Sequence, residues 1–79
     1  AERAAGAVTD LRLDARELLP PEPMQRVMAA LPTLGPEDVL TLLLYREPFP
    51  LYAALEQRGF TWRTTLADDG TYTIEVRRR

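Results

Sequence analysis

The 79-residue chain contains no cysteine, no histidine and no lysine. Without cysteine, no disulfide, thiolate or persulfide can form on these residues, so they cannot carry sulfur. Without histidine, the chain lacks the side chain that most often serves as a general base or metal ligand near neutral pH. The acid–base pairs that remain are Asp14 with Glu22 and Asp68 with Asp69, and turn chemistry accounts for the second pair. We therefore expect no enzymatic activity, no metal site and no cofactor.

The charge balance is mildly acidic, with ten arginines against twelve acids and a net charge of −2. The one cluster of like charge is Arg77-Arg78-Arg79, which we expect to form a solvated tail. It falls short of the basic patch that nucleic-acid binders carry. No apolar run approaches the roughly 20 residues that span a bilayer. The composition argues against nucleic-acid and membrane partners, and we expect a cytoplasmic protein.

The first half of the chain predicts a strand, a helix and a second strand. Residues 8–13 alternate between apolar and polar, as in a half-buried strand. Proline suits the first turn of a helix, so the helix should begin between Pro21 and Pro23. Residues 39–45 are apolar almost throughout, which is typical of a central strand. The apolar stripe of the helix recurs at i, i+3, i+4 and i+7: Met24, Val27, Met28 and Leu31.

The second half predicts a helix followed by a β-hairpin. The second helix has an apolar stripe of Leu51, Ala54 and Leu55 and ends near Gly59, which suits the left-handed position after a helix. Two alternating segments, 60–66 and 72–77, flank Asp68-Asp69-Gly70, a three-residue loop with glycine at its left-handed position. The resulting register pairs Leu66 with Tyr72 and Trp62 with Val76 on the inner face of the sheet, and Arg63 with Glu75 on its outer face.

The predicted order βαβαββ indicates an α+β fold. Because strand–helix–strand crossovers are right-handed, both helices should cover one face of a four-stranded mixed sheet, which gives a two-layer α/β sandwich. We expect residues 8–79 to form a single domain and residues 1–7 to be disordered.

This order and three short motifs resemble the TusA/SirA-like family of small bacterial sulfur carriers. In those carriers a strand ends in Leu-Asp, and a loop leads to Cys-Pro-x-Pro at the start of the first helix. Here Leu13-Asp14 and Pro20-Pro21-Glu22-Pro23 match that spacing, with Pro20 at the cysteine position. The other matches are Glu47-Pro48 after the central strand and Asp69-Gly70-Thr71-Tyr72 opening the last strand. The resemblance covers residues 8–77 and implies a TusA-like domain.

A related family of unknown function that lacks the cysteine is more similar still. In those relatives the segment after the central strand often reads His-Asp-Pro-x-Pro-Leu, whereas here Arg46 stands at the histidine position. The resemblance implies a partner protein, one concerned with redox or sulfur chemistry.

Three surfaces are candidates for binding. The first is a docking surface at the start of the first helix. The alternative is that the prolines have a structural role only and fix the direction in which the chain enters the helix. The second is a pocket for an acidic small molecule between Arg16 and Arg46, against a plain pair of exposed arginines. The third is an association face on the uncovered side of the sheet, formed by Val39, Leu43 and Tyr45, against a few tolerated apolar residues. The first surface comprises Asp14, Arg16, Leu19, Pro20, Pro21, Glu22 and Pro23.

The leading hypothesis is a non-catalytic protein-interaction module, an adaptor or regulatory domain, that docks an unidentified protein through the helix start. The alternatives are a module that binds a small molecule or anion through Arg16 and Arg46, and a homodimer formed through the open sheet face.

Overall fold

The structure is a computed structural model and describes residues 10–79. The predicted disordered segment 1–7 and the predicted start of the first strand at Val8 lie outside the described residues. The elements follow the predicted order. They are β1 (Asp10–Asp14), α1 (Glu22–Ala30), a 3-10 turn (Leu31–Thr33), β2 (Val39–Leu44), α2 (Phe49–Gln57), β3 (Phe60–Leu66) and β4 (Tyr72–Arg78).

The four strands form one mixed sheet in the order β1-β2-β4-β3. β1 and β2 are parallel, whereas β4 is antiparallel to both β2 and β3. The α+β sandwich predicted from the sequence is therefore confirmed. Because β1 and β2 point the same way, the chain leaves both strands at the same end of the sheet, and both helices begin there.

The core lies between the sheet and the two helices. Val27 of α1 and Leu55 of α2 are fully buried against the helix-facing side of β2 and β4. Burying one such side chain contributes about 1.5–3 kcal/mol. The sheet supplies Leu40, Leu42, Leu44, Ile74 and Val76 to this cluster, each at most 7% exposed. The apolar periodicity of the sequence thus identified the faces that pack.

The hairpin has the predicted register. Leu66 pairs with Tyr72, and Arg63 pairs with Glu75. Gly70 has a φ of 90°, a conformation that glycine adopts without the steric cost of a Cβ. The amide of Thr71 donates to Asp69 Oδ1 at 2.9 Å, so Asp69 stabilises the hairpin turn, as expected.

The three C-terminal arginines differ from the expected solvated tail. Arg77 and Arg78 belong to β4, and Arg78 Nε donates to the carbonyl of Leu34 at 2.5 Å. The Arg79 amide donates to the carbonyl of Gly59 at 2.9 Å, and its Nη2 lies 3.7 Å from Glu56 Oε1. The three side chains are exposed, as expected, but they do not form a tail because β4 extends to Arg78. Neither helix among residues 10–79 is long and apolar enough to cross a membrane.

Candidate functional site

The predicted site residues gather at the end of the sheet where β1 and β2 terminate. The hairpin loop lies there too, since the last residues of β2 and β3 both pair with Tyr72 of β4. We call this end, formed by residues 14–23, 45–50 and 66–70, the motif edge. It brings together the helix-start motif, the turn after β2 and the hairpin loop, which are far apart in the sequence.

Asp14 and Arg16 form a closed ion pair at the motif edge. The guanidinium donates to both carboxylate oxygens, from Nε to Oδ1 at 2.9 Å and from Nη2 to Oδ2 at 2.7 Å. The Arg16 amide also donates to Oδ1 at 3.2 Å. Hydrogen bonding by Arg16 lowers the pKa of Asp14 from its usual 3.8 to about 2. Asp14 therefore stays ionised and is a poor proton donor at neutral pH.

The start of α1 has few free backbone donors. Pro23 has no N–H, the Glu22 amide donates to the carbonyl of Leu19 at 2.9 Å, and the Gln25 amide donates to Pro21 at 3.1 Å. The Glu22 carboxylate accepts from Arg26 Nη2 at 2.7 Å, and no side chain within residues 10–79 caps the helix. This helix start therefore offers an exposed proline surface rather than a cradle for an anion.

The two arginines of the predicted anion pocket differ in their contacts. Arg16 is engaged by Asp14, and its Cζ lies 6.0 Å from the ring centroid of Tyr45. Arg46 is exposed and has no hydrogen-bond or ion-pair partner in the described part of the chain. The two side chains therefore do not form a pair of free cations, and binding of an acidic small molecule stays a prediction.

Exposed apolar side chains gather at the motif edge. Among residues 10–79, the large hydrophobic side chains classed as exposed are Leu19 (79%), Tyr45 (56%), Phe49 (66%) and Leu66 (57%). All four lie within the ranges that define the motif edge. Leu66 was predicted to face inward, yet its side chain is exposed, and it is the last residue of β3, an edge strand. These four exposed residues share one feature that can be read from the sequence: each lies close to the predicted end of a strand or the predicted start of a helix.

An aromatic row runs from the motif edge along α2 and β3. The Phe49 and Tyr52 rings meet edge to face at 5.9 Å, and the Tyr52 and Trp62 rings stack at 5.2 Å. The Tyr52 hydroxyl lies 2.9 Å from Glu47 Oε2 and 2.6 Å from Thr64 Oγ1. Burial raises the pKa of Tyr52. Sequence reasoning missed this row, although Phe49 and Tyr52 are separated by almost one helical turn.

The open sheet face does not present the predicted apolar patch. Val39 and Leu43 lie on that face, outside the helix-side core, yet they are only 8% and 5% exposed. The expectation that they are exposed is wrong because β2 is an inner strand, with side chains of β1 and β4 beside it on both flanks. Of the three predicted residues, Tyr45 alone is exposed, and it belongs to the motif edge.

Two depressions lie away from the motif edge. One, of about 280 Å³, is on the open face and is lined by Thr61, Trp62, Arg63, Glu75 and Arg77. The other, of about 170 Å³, lies near the end of α2 and is lined by Met28, Leu31, Pro32, Arg58, Phe60 and Arg78. Neither has the three clustered carboxylates that could hold a metal ion, and no such cluster occurs within residues 10–79.

The comparison with known proteins matches the chain to a protein family. No curated protein and no solved structure matches the chain. A family described as an uncharacterized conserved protein, DUF2249, matches residues 12–78, which span the sheet, both helices and the motif edge. The chain belongs to the DUF2249 family.

Proposed function

We propose that the protein is a non-catalytic protein-interaction module, an adaptor or regulatory domain, that docks a partner protein through the motif edge. The observation that carries the proposal is the concentration of Leu19, Tyr45, Phe49 and Leu66 at that end of the sheet. Small soluble domains usually scatter their exposed apolar residues, whereas residues gathered at one place mark an interaction site.

The composition of the motif edge fits protein docking better than chemistry. Two of its exposed residues are aromatic, a class enriched in the fully buried centres of protein interfaces. Its best-defined charges, Asp14 and Arg16, neutralise each other at 2.7 Å and can stay paired at the rim of an interface. The prolines at the start of α1 keep the surface rigid, which lowers the entropy lost on binding.

The resemblance to the TusA/SirA-like carriers supports the same surface. Those carriers present their reactive cysteine at the position that Pro20 occupies here, so a partner could dock on this chain without receiving sulfur. On that basis we propose a partner concerned with redox or sulfur chemistry, and a cytoplasmic location.

Site-specific photo-crosslinking tests the proposal. Pro20→Cys creates one thiol in a chain without cysteine, to which a photoreactive label is attached before irradiation in native lysate. The matched control is Thr33→Cys, which is also exposed but lies beyond α1 at the opposite end. We expect a protein captured from position 20 and not from position 33. Equal capture at the two positions would contradict docking through the motif edge.

The captured protein is then purified and its affinity is measured against surface variants. We expect Leu19→Ser and Phe49→Ser each to weaken binding about tenfold, because a central anchor contributes about 1–2 kcal/mol. Ala29→Ser, an exposed change on α1 outside the motif edge, is the matched control and should change the affinity by less than about twofold. Unchanged affinity in both motif-edge variants would refute the proposal.

A further inference from the structure

β3 is an edge strand with a regular set of free backbone groups. The Arg79 amide donates to Gly59, and the Ala67 amide donates to Thr71, both at 2.9 Å. These bonds mark hydrogen-bonded pairs, which alternate with non-hydrogen-bonded pairs along an antiparallel ladder. The backbone groups of Phe60, Trp62, Thr64 and Leu66 therefore point away from β4. Within residues 10–79, the Phe60 carbonyl accepts from Arg79 Nη2, and the other groups on this outer side have no partner.

The two edges of the sheet differ in their protection against strand addition. β1 has five residues, three of which are charged: Asp10, Arg12 and Asp14. β3 has seven residues and a single charge, Arg63, with no proline, and every residue is paired with β4 in unbroken register. Edge strands are usually protected by charges, proline, bulges or short length, and β3 has none of these beyond one arginine.

The charges beside β3 favour an acidic occupant. On the open face, Arg63 and Arg77 line the depression of about 280 Å³, with Glu75 as the one acid between them. Although Arg63 and Glu75 are register partners, the described chain contains no ion pair between them. A residue added opposite Arg63 would form a non-hydrogen-bonded pair, in which the side chains lie closest.

A second copy of the chain fits this edge poorly. An antiparallel pairing that uses all seven residues of β3 must place its midpoint at Arg63. It would therefore set Arg63 directly opposite the same arginine of the second copy, and like charges in that position are destabilising. Registers that avoid this contact leave part of both strands unpaired.

We propose that β3 binds an extended segment of a partner protein as a fifth strand of the sheet, and that this segment carries an acidic residue opposite Arg63. Its backbone would bond to Trp62 and Thr64, and its apolar side chains would lie on the helix side, next to the aromatic row. This surface differs from the motif edge, with which it shares only Leu66, so each proposal can fail without the other.

A capped pentapeptide, Thr-Val-Glu-Val-Thr, and its Thr-Val-Lys-Val-Thr control test the inference on the full chain. The readout is amide hydrogen exchange and chemical shift by NMR. We expect the glutamate peptide to slow exchange at Trp62 and Thr64, while Arg63 and Thr65, already bonded to β4, change little. The glutamate peptide should bind about three- to tenfold more tightly than the lysine peptide, and Arg63→Glu should reverse that order.

The possible results separate the occupants. Alternating protection with a glutamate preference that reverses in Arg63→Glu supports the proposal. Binding without the alternating pattern, or no binding of either peptide at millimolar concentration, overturns strand addition. Equal binding of the two peptides would contradict the part of the proposal that places an acidic residue opposite Arg63. Alternating protection in the absence of peptide, growing with protein concentration, overturns the proposal in favour of a second copy.

Discussion

Arg77 and Arg78 are adjacent, both exposed and chemically identical, yet we expect only Arg78 to stabilise the fold substantially. Arg78 Nε donates to the carbonyl of Leu34 at 2.5 Å, and its Nη2 lies 3.4 Å from the carbonyl of Leu31. Its Cζ lies 4.9 Å from the ring centroid of Phe60. Arg77 has no such contact within residues 10–79. Arg78 thus joins β4 to the turn that comes after α1.

The magnitude of the effect can be worked out from these contacts. A hydrogen bond from a charged donor contributes about 1.5–3 kcal/mol when well buried, and an exposed cation–π contact about 0.5–1 kcal/mol. The Arg78 side chain is partly exposed, so water can replace part of its hydrogen bonding after the chain unfolds. We therefore expect Arg78→Ala to lower the free energy of unfolding by about 1.5 kcal/mol. For a domain of this size the melting temperature should fall by about 6–12 °C.

The assay is thermal and urea denaturation followed by circular dichroism on a matched series. Arg77→Ala controls for the loss of an arginine from the same strand and should change the stability by less than about 0.5 kcal/mol. Arg78→Lys keeps the charge but loses the planar fork of donors, so an intermediate value is expected. Equal losses in Arg77→Ala and Arg78→Ala would refute the reasoning, since the three contacts would then contribute nothing.

The remaining predictions concern other parts of the fold. Tyr52→Phe keeps the ring but removes a hydroxyl bonded on two sides, so we expect urea unfolding to show a loss of about 1–2 kcal/mol. Gly70→Ala places a Cβ at a φ of 90° and should cost about 1–2 kcal/mol, with a smaller loss in Gly70→Asn. By NMR, the pKa of Asp14 should be about 2 and should rise toward 3.8 in Arg16→Gln. The contribution of ionised Asp14 to the stability of the fold is complete above pH 3.8 and is lost as the pH falls through 2. Because the open face exposes little apolar area, sedimentation should show a monomer whose mass Thr41→Arg leaves unchanged, and a wild-type dimer abolished by that change would contradict this.

The strands, helices and register could be predicted because each depended on several signals that agreed. In the hairpin, apolar alternation and the Asp69-Gly70 turn independently gave the pairing of Leu66 with Tyr72. A shift of one residue would have turned every apolar side chain of β3 to the wrong face, so the alternatives were costly. In α1, the prolines and the apolar stripe likewise agreed on where the helix begins.

The candidate site was predictable in place but not in detail, for a different physical reason. Two parallel neighbouring strands must end at the same edge of their sheet, and this topology correctly brought Asp14 and Arg46 to one edge. Whether Arg16 is free depends on a competition between water and the carboxylate of Asp14 for its guanidinium, and at an exposed site these two alternatives differ little in free energy. No periodicity in the sequence reports such a small difference.

For the open sheet face, the sequence predicted which side of β2 each side chain occupies, but it did not predict how exposed those side chains are. Alternation correctly set Val39 and Leu43 on the side opposite the helices, but a residue's face does not determine its exposure. Their burial depends on the side chains of the flanking strands, and strand order is a property of the whole topology rather than of residues 39–45. Within residues 10–79, no flanking strand covers the turn after β2 at the motif edge, so Tyr45 stays exposed while Leu43 does not. Because the end of a sheet is where neighbouring strands stop shielding one another, apolar residues left there are the ones that a partner protein can reach.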